Sequence, residues 1–124
     1  MTNLLCIAGG GALGALLRFW ASNGVHALVG RSFPWGTLAV NVSGSFAMGM
    51  VFVFMLERMD VGAEWRAAIM TGLLGAFTTF STFSMETLNL VEAGDPGRAL
   101  ANVVMSVVLC LAACWLGVVA GRVL

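Results

Sequence analysis

The sequence contains little charge, no lysine and no tyrosine. Its 124 residues include six acidic side chains, six basic side chains that are all arginine, and one histidine, while 60% of the residues are hydrophobic. Soluble domains carry about 25% charged residues, and so few charges cannot cover a surface that faces water. The formal net charge of zero also argues against a nucleic-acid partner. The composition therefore excludes an ordinary soluble domain and favours an integral membrane protein.

The three cysteines are too few and too poorly spaced for a disulfide framework, because an odd number cannot be fully paired within one chain. Cys6 stands alone, whereas Cys110 and Cys114 share one face of a predicted helix. Two thiols at that spacing could hold a soft metal ion, but no histidine or carboxylate lies near them in sequence. The favoured interpretation is that they are small packing residues in an apolar environment.

Four hydrophobic runs are long enough to cross a bilayer, which takes about 20 apolar residues. The mean hydropathy of the chain is +0.97. We predict spans at about residues 4–25, 36–56, 65–90 and 98–123, joined by short polar turns within a single membrane domain covering residues 1–124. No basic segment precedes the first run and no small-residue cleavage site follows it, so we expect it to be retained as a helix. The expected fold class is an all-α transmembrane protein of four helices.

The arginines do not select one orientation in the membrane. Four spans place both termini on one side, and three arginines then fall on each side. The two sets are Arg58, Arg66 and Arg122 on the side of the termini, and Arg18, Arg31 and Arg98 on the other. Two interpretations stay open: a single, weakly determined topology, or a chain that inserts both ways and pairs antiparallel with itself. Self-association is favoured because four helices leave little room for an internal path.

The third hydrophobic run contains a segment that resists helix formation. From Gly72 to Glu86 it holds two glycines, three phenylalanines and a series of hydroxyl side chains, all of which are poor helix formers. In hydrocarbon every backbone polar group needs an internal partner, so such a segment survives only where it is packed in protein or lines a polar cavity. We therefore predict that the third helix is broken around a functional site.

Neutral hydrogen-bonding side chains recur every four residues on the neighbouring runs, which places them on one helix face. The second run carries Thr37, Asn41 and Ser45, and the fourth carries Asn102, Ser106 and Cys110. A single buried asparagine is well explained by an interhelical hydrogen bond. Three helices that present neutral donors with almost no charge between them favour a transport path instead, and a path without a carboxylate ring is poorly suited to cations.

The charged and aromatic residues of these runs each leave alternatives open. Arg18 either extends to the membrane interface or attracts anions at a pore mouth. Glu86 could cap a helix, pair with an arginine or carry protons. Phe77, Phe80 and Phe83 favour an anion when their edges face the path and a cation when their faces do. The sequence does not set the ring orientation.

Three motifs resemble those of a known family, the small bacterial fluoride channels called Fluc or CrcB. They are Gly10-x-x-x-Gly14-Ala15-x-x-Arg18, then Gly36-Thr37-Leu38-x-Val40-Asn41-x-x-Gly44-x-Phe46-x-x-Gly49, and Gly75-x-x-Thr78-Thr79-Phe80-Ser81-Thr82-Phe83-Ser84-x-Glu86. The resemblance covers nearly the whole chain. It implies a dual-topology, antiparallel homodimer in the bacterial cytoplasmic (inner) membrane, surrounded by lipid. Two pores per dimer would pass fluoride passively, exclude chloride and so lower fluoride toxicity.

The resemblance also implies roles for individual residues. Phe80 and Phe83 would meet fluoride with their ring edges, and Asn41 would contact those rings and the ion path. Arg18 would lie at a vestibule or act as an anchor. The remaining polar pore lining would be Thr37, Thr79, Ser81, Thr82, Ser106 and Glu86.

A structural sodium ion is implied at the centre of the dimer, held by the backbone carbonyl groups of Gly75 and Thr78 at the helix break. Unwound carbonyl groups in a membrane need partners, which agrees with this assignment. No nucleotide motif or catalytic triad is present, so no enzyme activity is expected.

Two other functions stay open. One is a small dimeric drug exporter driven by protons, for which Glu86 is the only candidate membrane carboxylate. The other is an accessory subunit that transports nothing and uses its polar stripes to bind a partner.

Overall fold

The computed structural model describes all residues from 1 to 124 and contains only helices and short connections. Four helical segments are long and apolar enough to cross a membrane, judged by length and composition. These spans, numbered first to fourth, are Thr2–Val29, Trp35–Arg58, Ala63–Glu92 and Pro96–Val123. Each contains the corresponding predicted run and continues a few residues past it at most ends. The all-helical architecture with four spans is thus confirmed.

The chemistry of the connecting turns explains where the spans end. Gly30 follows the first span with φ of 89°, a left-handed backbone conformation that glycine adopts without strain. The fourth span begins at Pro96, directly after Asp95, whose carboxylate accepts a hydrogen bond from the N–H of Arg98 at 3.2 Å. Proline at the first position and an acidic residue before it are both favourable at a helix start. These local signals place the helix ends beyond the hydrophobic runs themselves.

The second and third spans are not α-helical throughout. The second is α-helical over Trp35–Phe52 and finishes in π-helical turns over Val53–Arg58. The third begins with an α-helical turn at Ala63–Arg66, widens into π-helical turns at Ala67–Leu74 and ends its first part with Gly75–Phe77. Such wide turns are rare and occur often beside functional sites. In the third span they lead directly to the residues described next.

Helical geometry stops at Phe77 and resumes at Phe80. Thr78 has φ −87° and ψ 157°, and Thr79 has φ −149° and ψ 124°, so both residues are extended. The hydroxyl of Thr79 then caps the following helix by accepting a hydrogen bond from the N–H of Thr82 at 3.3 Å. The third span therefore has two helical parts, residues 63–77 and Phe80–Glu92, with two extended residues between them.

The two parts of the third span pack against different neighbours. Residues 63–77 lie mainly against the first span, whereas Phe80–Glu92 lies mainly against the fourth. The second and fourth spans also pack closely along each other, and the first and second spans touch. The change of direction at Thr78 and Thr79 thus carries the chain from one side of the bundle to the other.

Glycines permit the closest helix contacts. A Cβ atom added at Gly10 would overlap the carbonyl oxygen of Ala68, and one added at Gly117 would overlap that of Phe46. Gly14, one turn after Gly10, meets the third span in the same way. The Gly-x-x-x-Gly spacing of Gly10 and Gly14 is typical of helices whose backbones approach closely.

Few side chains of the chain are buried within it. Only 20 of 124 residues are buried, and Val40, Val53 and Asn102 are the largest that are fully enclosed. Large apolar side chains such as Leu28 and Trp115 are more than half exposed, at 87% and 65%. This outer surface would be costly in water but is suited to hydrocarbon. The spans therefore present their apolar faces outward, as a membrane protein does.

Candidate functional site

The side chain of Asn41 forms two hydrogen bonds with the backbone of Thr79. Asn41 Nδ2 donates to the carbonyl oxygen of Thr79 at 2.9 Å, and the N–H of Thr79 donates to Asn41 Oδ1 at 2.8 Å. One amide from the second span thus satisfies both backbone groups of an extended residue. Because unpaired backbone groups are costly in a membrane, this pair of bonds explains how helical geometry can be interrupted here.

A groove of about 430 Å³ opens beside the Asn41–Thr79 pair, and we call it the first groove. It lies between the second span, the Thr78–Thr79 segment and the fourth span. Among the predicted site residues it brings together Asn41, Thr79, Phe80, Phe83 and Ser106. No acidic or basic side chain lines it. The groove is therefore uncharged and mostly apolar, with a few neutral polar groups and two aromatic rings in its wall.

Phe80 and Phe83 form a tilted ring pair at the side of the first groove. Their ring centroids are 5.3 Å apart and the rings are inclined at 47°. Phe83 is half-buried, but Phe80 is 78% exposed. Tilted rings present edges as well as faces, and the edges carry partial positive charge. The pair can therefore contribute both an apolar wall and weak attraction for an anion.

A second groove, of about 320 Å³, lies between the first and second spans. Its lining includes Arg18, Thr37, Thr79 and Thr82, and Arg18 is the only charged residue in it. Because Thr79 lines both the first and the second groove, the two meet at the extended segment. A single arginine in a neutral groove raises the local concentration of anions.

Two of the residues predicted to line the pore lie outside these grooves. Ser81 is exposed, with its hydroxyl 3.5 Å from that of Thr79. Glu86 lines a separate third groove of about 250 Å³, together with His26 and Arg31. The Oε1 atom of Glu86 is buried and has no hydrogen-bond partner. The predicted residues are therefore spread over three surfaces of the protomer.

A chain of polar side chains connects the fourth span to the helix that carries the phenylalanines. Asn102 is buried and its Nδ2 donates to Thr87 Oγ1 at 2.9 Å. Ser106 Oγ donates to Asn102 Oδ1 at 3.5 Å, and Thr87 Oγ1 donates to the carbonyl oxygen of Phe83 at 2.8 Å. Thr87 is not among the site residues predicted from the sequence. Its position four residues after Phe83, on the same helix face, is the pattern that could have indicated it. This network sets the position of Phe83 relative to Ser106.

The one histidine also holds two spans together, which the sequence did not indicate. His26 is buried, and its Nε2 accepts a hydrogen bond from the N–H of Gly36 at 3.1 Å. Gly36 directly precedes Thr37 at the start of the second span, where backbone N–H groups lack helical partners. His26 therefore anchors the end of the second span that carries Thr37.

The backbone at the interruption has carbonyl oxygens without their usual donors. The N–H of Thr79, which would bond to Gly75 in a continuous α-helix, donates to Asn41 instead. The carbonyl oxygen of Thr78 accepts no hydrogen bond from a backbone N–H. Unwound carbonyl groups of this kind are typical ligands of Na⁺ in membrane proteins. The freed carbonyl oxygen of Thr78 is a ligand suited to a hard cation, whereas Gly75 is still helical, and the sodium-holding role of the two residues stays a prediction.

These features define a class: a multi-pass membrane protein with four spans and a neutral, aromatic groove beside an interruption in the third. Residues 5–118 match the family described as CrcB-like protein, Camphor Resistance (CrcB). The chain therefore belongs to the CrcB family, and the resemblance drawn from its motifs is confirmed.

Similar proteins from three bacteria each bear the name fluoride-specific ion channel FluC. The one from Methylococcus capsulatus is 58% identical over 120 residues, which cover 97% of this chain and 53% of that protein. The one from Magnetococcus marinus is 51% identical over 118 residues, covering 95% of this chain and 96% of that protein. One from Coxiella burnetii is 48% identical over 121 residues, covering 97% and 98%. The chain thus spans about half of the first relative and nearly all of the other two.

Proposed function

We propose that the chain is a fluoride-selective channel through which fluoride leaves the bacterial cell passively, across the cytoplasmic membrane. The observation that carries the proposal is the double hydrogen bond between Asn41 and Thr79, which holds Phe80 and Phe83 beside a groove without charged residues. Relatives that match the chain almost end to end are named for the same activity. Neutral hydrogen fluoride that enters the cell and dissociates would leave through this path as the ion, which lowers fluoride toxicity.

The chemistry of the grooves supports an anion as the permeant ion. Cation paths usually concentrate their ions with rings of carboxylates, and neither the first nor the second groove contains one. Hydroxyl and amide groups can donate hydrogen bonds to an anion and replace part of its hydration shell. The ring edges of Phe80 and Phe83 add weak positive charge. Arg18 in the second groove would raise the concentration of anions at the entrance.

The working unit is an antiparallel homodimer with two pores. Phe80 is 78% exposed on the protomer, although it borders the first groove, so a second copy is needed to enclose the path. A two-fold symmetric pair of grooves gives two equivalent pores. The even distribution of arginines, three on each side, agrees with chains that insert in both orientations.

A structural sodium ion would be held between the two copies by the carbonyl groups of Gly75 and Thr78. Both residues lie at the interruption, where carbonyl oxygens lack their helical donors. When bound, the ion would supply a fixed positive charge and link the third spans of the two chains. The polar lining assigned to Thr37, Thr79, Ser81, Thr82, Ser106 and Glu86 belongs to the same proposal.

The test is ion efflux from liposomes that contain only the purified protein. The liposomes are loaded with potassium fluoride or potassium chloride, valinomycin is added, and each anion is followed with its own electrode. Rapid loss of fluoride without loss of chloride is the expected result. Loss of both anions would contradict the fluoride selectivity, and retention of both by folded protein would favour the accessory subunit.

The dual topology has a separate test. A single cysteine placed in the first connecting turn of a protein without its native cysteines is labelled with a membrane-impermeant maleimide, from outside and then after permeabilisation. We expect about half of the chains to be labelled from outside, since a two-fold antiparallel pair exposes the same turn on both faces. Labelling of all chains from one face only would contradict the antiparallel dimer.

A further inference from the structure

Two of the three cysteines line the first groove. Cys110 and Cys114 are both half-buried, and both border the groove together with Met48 of the second span. The sequence favoured an interpretation of these thiols as packing residues, but the structure places them in the wall of an open, uncharged groove. Cys6 lies on the first span and is not part of this groove. The pair at 110 and 114 therefore differs from Cys6 in its surroundings.

The spacing of the two thiols suits a shared ligand. Residues four apart on a helix are neighbours, with Cβ atoms about 5–6 Å apart. A metal–thiolate bond is about 2.3 Å long, so one ion can bridge two thiolates one helical turn apart. Both side chains border one groove, which places them on the same side of the fourth span.

Backbone contact between the second and fourth spans brings Met48 close to the level of Cys114. A Cβ atom added at Gly49 would overlap the carbonyl oxygen of Cys114, so the two helices touch at this level. Met48 is the residue next to Gly49, and its side chain borders the groove. The groove wall therefore presents two thiols and a thioether.

These donors select the chemical class of the ion. Thiolate and thioether sulfur favour soft cations such as Cu(I), whereas hard cations prefer oxygen. No histidine, aspartate or glutamate lines the first groove, and the chain has no group of three such residues and cysteines placed to hold a metal. We propose that Cys110, Cys114 and Met48 form a binding site for a soft monovalent cation of the Cu(I) class. Ag⁺, which has the same preferences and no redox chemistry here, is the probe.

Binding changes the charge of the groove. Each thiol releases a proton to the solvent as its sulfur–metal bond forms, and one monovalent ion cannot balance two thiolates. The occupied site is therefore negatively charged and lies in the same groove as Ser106 and Phe83. This has a consequence that rests on the proposed function: an occupied site repels fluoride and blocks conduction. The binding itself does not depend on that function.

The first experiment measures silver binding to the full-length protein in detergent. Isothermal titration with silver nitrate is performed in chloride-free buffer on Cys6→Ser, which removes the thiol outside the groove. One tight binding event per chain is expected. Mutating a residue that only orients a metal ligand typically lowers metal affinity by about 10–100-fold. Removing a ligand itself should cost more, so Cys110→Ser and Cys114→Ser should each lower silver affinity by at least about 100-fold. Met48→Leu, matched in size, should cause a smaller loss.

Tight binding that survives in either serine variant would overturn the site. Silver-edge X-ray absorption of the loaded Cys6→Ser protein gives an answer that does not rely on those variants being folded. Sulfur as the only neighbour of the ion is the expected result, and an oxygen or nitrogen shell would contradict the site. In liposomes, Ag⁺ should stop fluoride efflux through Cys6→Ser but not through the variant that also carries both serines. Efflux that continues with silver bound would refute the block and leave the site standing.

Discussion

Asn41 holds Thr79 by both its backbone N–H and its backbone carbonyl oxygen, across a sequence separation of 38 residues. This arrangement replaces the two main-chain partners that a helix would have supplied. It also connects the first and second grooves, because Thr79 lines both of them and Asn41 lines the first. The fold at this point and the proposed ion path therefore depend on the same side chain.

Replacing Asn41 with alanine is expected to reduce both stability and flux. The change leaves two backbone groups of Thr79 unpaired, at a cost of about 1–3 kcal/mol for each buried group. Fluoride efflux should fall by about tenfold or more, which corresponds to about 1.4 kcal/mol in the barrier. Ser43→Ala is the matched control, because the hydroxyl of Ser43 bonds only to the carbonyl oxygen of Val40 on its own helix. Unchanged efflux and melting temperature in Asn41→Ala would contradict this role.

Phe80→Ile and Phe83→Ile are expected to impair fluoride flux while the protein stays assembled. Isoleucine keeps an apolar side chain but has no ring edge to offer an anion. Efflux is measured from liposomes, and assembly is measured by size-exclusion chromatography and crosslinking. Phe52→Ile is the control, since Phe52 is an exposed residue of the second span away from the first groove. Full fluoride flux in both Phe80→Ile and Phe83→Ile would contradict a role of the aromatic rings in the fluoride path.

Gly10→Ala is expected to destabilise the protein, whereas Gly9→Ala is not. The added methyl group at Gly10 would overlap the carbonyl oxygen of Ala68, and overpacking of this kind costs about 1–3 kcal/mol. Nothing lies within 4 Å of the corresponding position at Gly9, so alanine there should gain up to about 1 kcal/mol in helix propensity. The measurement is the fraction of monodisperse protein left after heating. Equal stability of the two variants would contradict the close packing of the first and third spans.

Thr79→Val is expected to weaken the start of the helix that carries both phenylalanines. Valine keeps the β-branched shape that suits extended backbone but cannot accept the hydrogen bond from the N–H of Thr82. Loss of a helix cap costs about 0.5–2 kcal/mol. Thr79→Ser keeps the hydroxyl and should retain the thermal stability of the unchanged protein. If the Thr79→Val protein were as thermally stable as the Thr79→Ser protein, capping by Thr79 would not contribute to the stability of this helix.

A proton gradient is expected to drive no uptake of an organic cation into liposomes that contain the protein. A passive anion path needs no proton exchange, although Glu86 has a buried carboxylate oxygen without a partner. Uptake of a fluorescent cation is followed after an imposed pH step, with Glu86→Gln as the comparison. Uptake by the unchanged protein that disappears in Glu86→Gln would revive the drug-exporter hypothesis.

Several features of this fold could be predicted because they depend on local or one-dimensional patterns. Hydrophobic run length predicts the four spans, since crossing hydrocarbon requires a minimum number of apolar residues. Spacing of small residues predicts close helix contact at Gly10 and Gly14, since only glycine allows a carbonyl oxygen to approach so closely. The motifs on three runs likewise identify the family, because each motif lies within one short stretch of the chain.

The spacing of residues along the sequence does not predict which side chains line which groove. Ser81, Thr82 and Phe83 are consecutive, yet only Thr82 and Phe83 reach the two larger grooves, each a different one. Their positions depend on the direction in which the helix leaves Thr79, which is set by a bond from another span. Cys110 and Cys114 look like packing residues in sequence, and only the placement of Met48 and the second span shows that they border a cavity.

A four-span membrane protein and its family are predictable from the amino-acid sequence alone. These properties follow from hydrophobic length, residue propensity and motif identity, all of which belong to the unfolded chain as well. The three-dimensional arrangement sets which polar residues share a groove. It also places Glu86 apart with His26 and takes the third span from the first span to the fourth. Those outcomes depend on helix rotation and on contacts between distant residues, as between Asn41 and Thr79, and no local pattern encodes them.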